Sequence, residues 1–462
     1  MPKTVTATKK EMPLKSRKRW KFGRTGIAVL LFLALALSIT SLLVWTPSNS
    51  ELTSRSGRSK TQAQFTVLNS KSNNELNVLE KPFQWYRDHW SSHVKNNDNA
   101  TTGKPWEQTE LPSWMKDYFE WHENQTRKRS KTNGIPAKYL VVQCLEQDKQ
   151  CGGLADRLLS LPFYILLAAQ TKRILIIVWT VPFPLEEFFI PNGFDWRLPS
   201  SFHGEEDSNK FLSAPSIKDK TVFSSVSNLI QAASRDNQQS IVRARVQDYA
   251  TAWKYYDQHQ QQQHASQESG KTTTIPFAMQ HYRELFSVLF QPSPPLQQAV
   301  QQQKIPTNGT YAVAHYRALY GSSQPPRAFI RAAAKNAANC ASQLFPSHSI
   351  YVLSDSIEAL QSLLDYRPGV VIPVMNDENS NPQHLDKATR KQKDSKMTKE
   401  TKYKPSDFYS IFLDVLLMAG AQCVSYGQGG FGKLGSLLSR NNSCTSRHFD
   451  KGRMVSCLWK RH

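Results

Sequence analysis

Acidic residues are scarce in this chain of 462 residues: 37 Asp and Glu stand against 58 Lys and Arg, a formal charge of +21. An excess of that size is expected of a nucleic-acid binder or of a protein that meets acidic surfaces. Its distribution argues against nucleic acid. Lys9, Lys10, Lys15, Arg17, Lys18, Arg19, Lys21 and Arg24 crowd the N-terminal tail, and Lys391, Lys393, Lys396, Lys399, Lys402 and Lys404 form a second polar run. Neither cluster is interleaved with aromatics as a base-stacking platform is. Cysteine is sparse too, six in all, and no C-x-x-C or His/Cys spacing marks a zinc site, so no metal centre is expected. The chain's richest glycine turn lacks the Gly-Lys-Ser/Thr ending of a P-loop. Long apolar runs are missing everywhere but one place.

That place is Ile27 to Trp45, an uncharged stretch long enough to cross a bilayer as a helix rising about 1.5 Å per residue. Basic residues flank it on the N-terminal side and Thr46-Pro47-Ser48-Asn49 on the other, so the positive-inside rule puts the N-terminus in the cytosol and the rest in a lumen. A cleaved signal peptide is the competing reading, but Ala34-Leu35-Ala36, its best cleavage site, sits inside the run. Cys144, Cys151, Cys340, Cys423, Cys444 and Cys457 all fall on the lumenal side, where disulfides form. Cys144 and Cys151 are close enough for a local bridge; the full pairing stays open. Acceptor sequons at Asn99, Asn124, Asn308 and Asn441 agree with a lumenal location.

Five segments follow from pattern. Residues 1–26 are a cytosolic basic tail and 27–45 the transmembrane anchor. Residues 46–136 form a stem, polar at first and then carrying aromatic helical clusters at Phe83-Trp85-Tyr86-Trp90 and Trp114-Tyr118-Phe119-Trp121, which suit packing on the folded region. Two α/β units occupy 137–305 and 306–462. In the first, Tyr139 to Gln143 and Arg173 to Trp179 read as buried strands, parallel because an apolar helix, Leu158 to Ala169, separates them. Pro162 either follows a Ser160 cap or kinks a helix begun near Ala155. Between Gly193 and Lys304 the pattern is weak, and the Gln/His-rich stretch Gln258 to His264 reads as a surface loop.

The second unit alternates strand and helix: Thr310 to His315, Ala328 to Leu344, Ile350 to Ser354, Ile357 to Leu364 and Val370 to Val374. After a polar insertion at 376–404 come a helix capped by Ser406, the strand Cys423 to Tyr426, a glycine-rich turn and a helix from Lys433 to Arg440. Such alternation predicts two α/β halves facing a cleft.

The turn Tyr426-Gly427-Gln428-Gly429-Gly430-Phe431-Gly432 follows a strand and opens a helix, so its backbone N–H groups and the helix dipole suit a phosphate; a turn chosen only for backbone geometry reads the same way. His315-Tyr316-Arg317 leaves a strand end, where an arginine can neutralise a diphosphate leaving group or merely pair with a carboxylate. Asp355 ends the next strand and suits either a ligand or a helix N-cap. Asp414, in an apolar helix, needs a partner such as a base, a ribose or an arginine. Gly152-Gly153-Leu154-Ala155-Asp156-Arg157 places an Asp and an Arg at a strand-to-helix turn on the same cleft.

In this order the pieces resemble the fucosyltransferase superfamily of core α-1,6-fucosyltransferases, nodulation fucosyltransferases and protein O-fucosyltransferases, over roughly Tyr139 to Trp179 and Gly309 to Arg440. Gly152-Gly153-Leu154-Ala155-Asp156-Arg157-Leu158 looks like the family's Gly-Gly-x-x-Asn-Arg-Leu turn, with Asp for the usual Asn. His315-Tyr316-Arg317 looks like its His-x-Arg motif, whose arginine holds the β-phosphate of GDP-fucose while the histidine lies by the guanine. Leu413-Asp414 looks like the helix whose aspartate accepts from guanine, and Gly429-Gly430-Phe431 keeps the spacing of the phosphate turn, with glycines where relatives carry serines. No acidic residue follows His-x-Arg; Ala318 stands there.

The resemblance implies a GT-B fold and a single-pass type II glycosyltransferase of Golgi or ER. It would transfer fucose from GDP-fucose to a glycan or glycoprotein with inversion and without a metal or other cofactor. Donor contacts would come from His315, Arg317, Asp355, Asp414, Gly427, Gly429, Gly430 and Phe431. Arg317 would be catalytic, and Asp156 is the candidate base. The alternative is an inert lumenal protein of the same fold that binds a nucleotide sugar or glycan.

Overall fold

The structure, a computed structural model, describes residues 104–129, 138–145, 151–198, 222–235, 241–265, 277–302, 310–319, 325–364, 366, 370–371, 385, 403–450 and 452–459. The basic tail, the apolar segment 27–45, the Phe83 to Trp90 cluster, Asn99, Asn308 and nearly all of the insertion at 376–404 lie outside the described residues. Among the described residues no helix is long and apolar enough to cross a membrane. The chain separates into two units, 1–71 and 72–462, and every described residue belongs to the second.

The first half runs α1 (Ser113–Arg129), β1 (Tyr139–Cys144), α2 (Leu154–Leu158), α3 (Leu161–Gln170), β2 (Ile174–Trp179) and the short β3 (Phe189–Ile190). Strands β1 and β2 pair in parallel from Tyr139 opposite Ile174 to Cys144 opposite Trp179. Met115, Tyr118, Phe119 and His122 share one face of α1 and are all buried. Tyr118 Oη donates to the Arg173 carbonyl at 2.9 Å and accepts from the Leu175 N–H at 3.1 Å, latching α1 to the edge strand β2. Pro162 falls in the first turn of α3, where a missing N–H costs nothing. Ser160 takes the position before that helix, but its hydroxyl donates to the Val246 carbonyl at 3.4 Å and does not cap. With α2 already begun at Leu154, parts of both expectations at Pro162 are realised.

The middle segment continues with α4 (Val226–Ser234), β4 (Ile241–Ala244), α5 (Tyr249–Ala265), α6 (Phe277–Gln280), α7 (Tyr282–Leu289), β5 (Gln291–Pro292) and α8 (Pro294–Gln302). Strand β4 joins β1 in parallel, giving the order β2-β1-β4, and β3 pairs with β5 in a separate two-stranded ribbon. The loop expected at Gln258 to His264 is wrong: these residues belong to α5. Glutamine is a good helix former, and the buried face of α5 runs Trp253, Tyr256 and Gln260. The third position is polar, which hides the period. Gln260 is accommodated because its Oε1 accepts from Trp114 Nε1 at 3.0 Å.

The second half comprises β6 (Tyr311–Tyr316), α9 (Arg327–Leu344), β7 (Ser349–Ser354), α10 (Ile357–Leu364), β8 (Val370–Val371), α11 (Tyr409–Gly420), β9 (Cys423–Tyr426), α12 (Gly430–Leu438), β10 (Thr445–Asp450) and β11 (Arg453–Trp459). Its sheet has the order β11-β10-β9-β6-β7-β8, parallel except for the edge strand β11. Two boundaries differ from expectation. Ser406 is not an N-cap: a 3-10 turn, Pro405–Phe408, precedes α11, and the Asp407 carboxylate accepts from the Lys404 N–H at 2.8 Å. Helix α12 begins at Gly430 instead of Lys433, so the glycine turn is partly its first turn.

One continuous apolar core draws residues from both halves, including Leu140 and Leu175 on one side and Leu413 and Val424 on the other. Phe188 stacks on Phe412 across it, ring centroids 3.9 Å apart and planes within 6°. Arg283 on α7 donates to the carbonyls of Ala419 at 3.1 Å and Leu438 at 2.8 Å, at the C-terminal ends of α11 and α12, where a cation is favoured. Three disulfides, Cys144–Cys151, Cys340–Cys457 and Cys423–Cys444, use all six cysteines. The Phe412→Ala substitution is expected to cost about 3–5 kcal/mol, read as a shifted urea midpoint; a loss below about 1 kcal/mol would show that the stack does not join the halves.

Candidate functional site

From β6 the chain works outward to β7 and β8, then returns on the other side of β6 as β9 and β10. Where strand order reverses in a parallel sheet, a crevice opens beyond the carboxyl ends of the two central strands. His315-Tyr316-Arg317 leaves the end of β6 and Gly427 to Gly430 the end of β9. The Gly427 N–H donates to the His315 carbonyl at 3.3 Å, tying the two loops together.

Gly429 has φ +92° and ψ 165°, a conformation essentially confined to glycine. A Cβ there would lie 2.9 Å from Arg317 Nη1. The guanidinium therefore rests on the turn at the head of α12, adding a fixed charge to the partial positive charge of free first-turn amides. The His315 ring lies alongside, 5.2 Å from Phe431 between centroids, and its buried Nδ1 has no hydrogen-bond partner among the described residues. Burial, and then the Arg317 charge, lower its pKa to about 3. It is a neutral imidazole.

Sequence reasoning missed a second histidine. His448 on β10 is fully buried. Its Nδ1 lies 2.8 Å from Ser425 Oγ, which also accepts from Ser446 Oγ at 3.2 Å. Its Nε2 has no partner and would lie 3.1 Å from a Cβ on Gly427. Burial, and then the neighbouring His315, hold it at about 3 as well. The signal was available: Thr445-Ser446-Arg447-His448 is a polar run in a strand position, and buried polar groups need partners.

Asp414 has no hydrogen bond or ion pair among the described residues and retains some accessibility on α11. Its apolar surroundings push the carboxyl up to about 8. Met418, one turn further along the same face, packs against Gly435 of α12. Asp414 thus lies on the side of α11 that faces α12, toward the end where α12 begins.

The other selected residues are engaged structurally. Asp355 Oδ1 accepts from the N–H groups of Ala318 at 2.7 Å and Leu319 at 3.2 Å, fixing the loop that carries Arg317. It is neither the cap nor open to a ligand in the expected sense: Ser356 Oγ accepts from the Ala359 N–H at 3.3 Å and starts α10. Arg157 corrects the reading that it faces the cleft. It is buried, donating from Nε to the Gly152 carbonyl at 3.2 Å and from Nη1 to the Val181 carbonyl at 2.6 Å, with its guanidinium 5.2 Å from the Trp179 ring centre. Asp156 Oδ2 accepts from the Gly153 N–H at 2.8 Å and closes the Gly152-Gly153 turn. It nonetheless stands across from Gly430, where a Cβ would lie 3.1 Å from Ala155 Cβ and 3.7 Å from Asp156 Oδ1. Asn124 lies on α1, and Asn441 lies in the turn between α12 and β10. Among the described residues no group of three or more His, Cys, Asp or Glu side chains is placed to hold a metal ion.

No protein-family signature and no curated relative matches the chain. Among solved structures it is similar to a mutant of Arabidopsis thaliana FUT1 in complex with GDP, at 13% identity, covering 84% of this chain and 88% of that one with a TM-score of 0.45. It is similar also to NodZ α-1,6-fucosyltransferase soaked with GDP-fucose, at 13% identity over 65% of this chain and 93% of that one, TM-score 0.36. Fucosyltransferase NodZ from Bradyrhizobium aligns at 12% identity over 70% and 99%, TM-score 0.36.

Two substitutions test the site. A carboxyl raised from the ordinary value near 4 to about 8 keeps in the folded state a proton that the unfolded chain loses, so its effect on stability becomes unfavourable as pH rises through that window. Asp414→Asn is expected to raise the urea midpoint more at pH 8 than at pH 5; an equal gain at both would refute the buried, unpaired carboxylate. Gly429→Ala is expected to destabilise by about 1–3 kcal/mol, read as a lowered urea midpoint; an unchanged midpoint would show that the turn does not need the positive φ at Gly429.

Proposed function

We propose that the chain is an enzyme, a glycosyltransferase that moves fucose from GDP-fucose to a glycan or glycoprotein acceptor with inversion and without a metal. The observation that carries this reading is the Arg317 guanidinium seated on Gly429 at the head of α12, beside an uncharged, unpartnered His315. A departing nucleoside diphosphate develops charge on its β-phosphate as the sugar C–O bond breaks. A fixed cation and aimed backbone amides stabilise that charge without reorganising. Asp414 supports guanine as the base: a carboxyl held protonated by its apolar surroundings, with no donor among the described residues, would ionise and offer two acceptor oxygens when it meets the ring N–H and exocyclic amine that guanine presents side by side. Uracil offers a single N–H.

The fate of the acceptor proton separates this reading from an inert nucleotide-sugar-binding protein of the same fold. Asp156 is a carboxylate at the head of α12, with Oδ1 3.7 Å from where a Cβ on Gly430 would lie, and its engagement by Gly153 favours the inert alternative. We further propose that residues 27–45 anchor the chain as a type II protein of Golgi or ER, with the folded part lumenal. Three disulfides that use every cysteine support an oxidising compartment.

Calorimetry on the purified full-length chain is expected to find GDP and GDP-fucose bound in preference to UDP, with Arg317→Ala about 10- to 100-fold weaker, as loss of charge-assisted bonds predicts. Equal affinity for UDP would sink the guanine reading. GDP bound without any release from GDP-fucose in the presence of glycoprotein would leave the inert alternative.

A further inference from the structure

A cavity of about 480 Å³ opens between α5, α6 and α12, apart from the residues assigned to the donor. Its wall from α5 is Tyr249, Trp253, Asp257 and Gln261, four residues spaced by four and hence on one face of the helix, with Gln258 beside them. Lys433 of α12 closes the opposite side. Its ammonium lies 5.9 Å from the centre of the Trp253 ring and 3.6 Å from Met279 Sδ.

The cavity is coupled to the donor turn by covalent and packing neighbours. Lys433 comes three residues after Gly430 and so stands one helical turn, about 5 Å, from the residue that opens α12. Trp253 Nε1 donates to the Leu159 carbonyl at 2.6 Å, and Leu159 Cδ1 would lie 3.6 Å from a Cβ on Gly430. The aromatic wall and the phosphate turn therefore meet on the same two residues, Leu159 and Gly430.

We propose that this cavity is the acceptor subsite and takes a neutral pyranose unit of a glycan, a proposal that rests on the donor reading above. A pyranose has an apolar C–H face and a rim of hydroxyls. Tyr249, half-buried and packed edge-to-face on the buried Trp253 with ring centroids 5.3 Å apart, gives the apolar face a surface to lie on. Asp257, Gln258 and Gln261 present an acceptor carboxylate and two amides that donate and accept, the pairing that vicinal hydroxyls require. The volume falls among small-ligand sites, about 300–1,000 Å³, lined mainly by apolar atoms with a few directed polar groups. Lys254 and Lys433 line the cavity beside Asp257, so charges of both signs are present and an uncharged sugar ring meets no repulsion.

The test uses the full-length chain in mild detergent, loaded with GDP, on a printed array of defined neutral oligosaccharides, with calorimetric GDP affinity measured on the same samples. Gln258 and Gln261 are exposed, so Gln258→Ala/Gln261→Ala leaves the core alone. The expected result is that a subset of the glycans is retained and that the double substitution lowers their signal at least tenfold while GDP affinity is unchanged. Retention equal in both proteins, or no glycan retained by wild type that does bind GDP, would overturn the subsite. Absence of GDP binding by wild type would overturn the donor reading itself and the subsite with it.

Discussion

The head of α12 lies against α2, with Gly430 so close to Ala155 that a Cβ on Gly430 would lie 3.1 Å from the Ala155 Cβ and push the opposite helix back by a few tenths of an ångström. Much else in the molecule depends on that approach. It brings the carboxyl end of the second sheet, from which α12 springs, up to the glycine turn that follows β1 of the first. It also places the free amides of α12 at the junction of the halves instead of at an open surface, where water would screen them. The opposite ends of the helices are held as firmly, since Arg283 binds the last carbonyls of α11 and α12 together and the Phe188–Phe412 stack lies between. The junction is thus pinned by the close approach of α12 to α2 at its mouth, by a cation on the C-terminal ends of α11 and α12, and by a ring pair that uses the first turn of α11.

Within that mouth the charge pattern is simple. Arg317 is a fixed cation over the glycine turn. The two histidines nearest it are uncharged, each held so by burial and then by a positive or titratable neighbour. A neutral ring beside an anion site contributes hydrogen bonds without adding a group whose charge changes near neutral pH. Asp414 is the converse, a carboxyl with no partner among the described residues, whose ionisation is favoured only when a donor arrives. These groups together suit a ligand that is anionic at one end and rich in N–H donors at the other.

Several residues that stood out in the sequence hold the site without facing it. Asp355 fixes the loop after β6, Asp156 closes the turn before α2, and Arg157 ties that turn to the Val181 carbonyl. Their conspicuous positions at strand ends and helix starts are real, but the same positions supply unsatisfied backbone groups, and a nearby side chain meets those first. Sequence cannot rank the two demands for Asp355 and Arg157, because the Ala318 amide and the Val181 carbonyl that engage them come from segments 37 and 24 residues away. His448 was missed for the opposite reason: its partners Ser425 and Gly427 are set by strand pairing, which is not visible along the chain.

By itself the sequence determined the alternation of elements: apolar runs at Tyr139 to Cys144, Ile174 to Trp179 and Tyr311 to Tyr316 are long enough and apolar enough to be buried strands. Local chemistry likewise marked the glycine turn after β9, because its backbone requirement is met by residue type alone. The Gln-rich stretch of α5 became helix only through tertiary contact, where Gln260 receives the Trp114 indole and Trp253 reaches Leu159. Likewise, only the packing of α12 between the two halves decided which polar residues would be spent on the backbone and which left unpartnered. Burial and hydrogen-bond satisfaction are set by groups distant in sequence, and no local pattern encodes them.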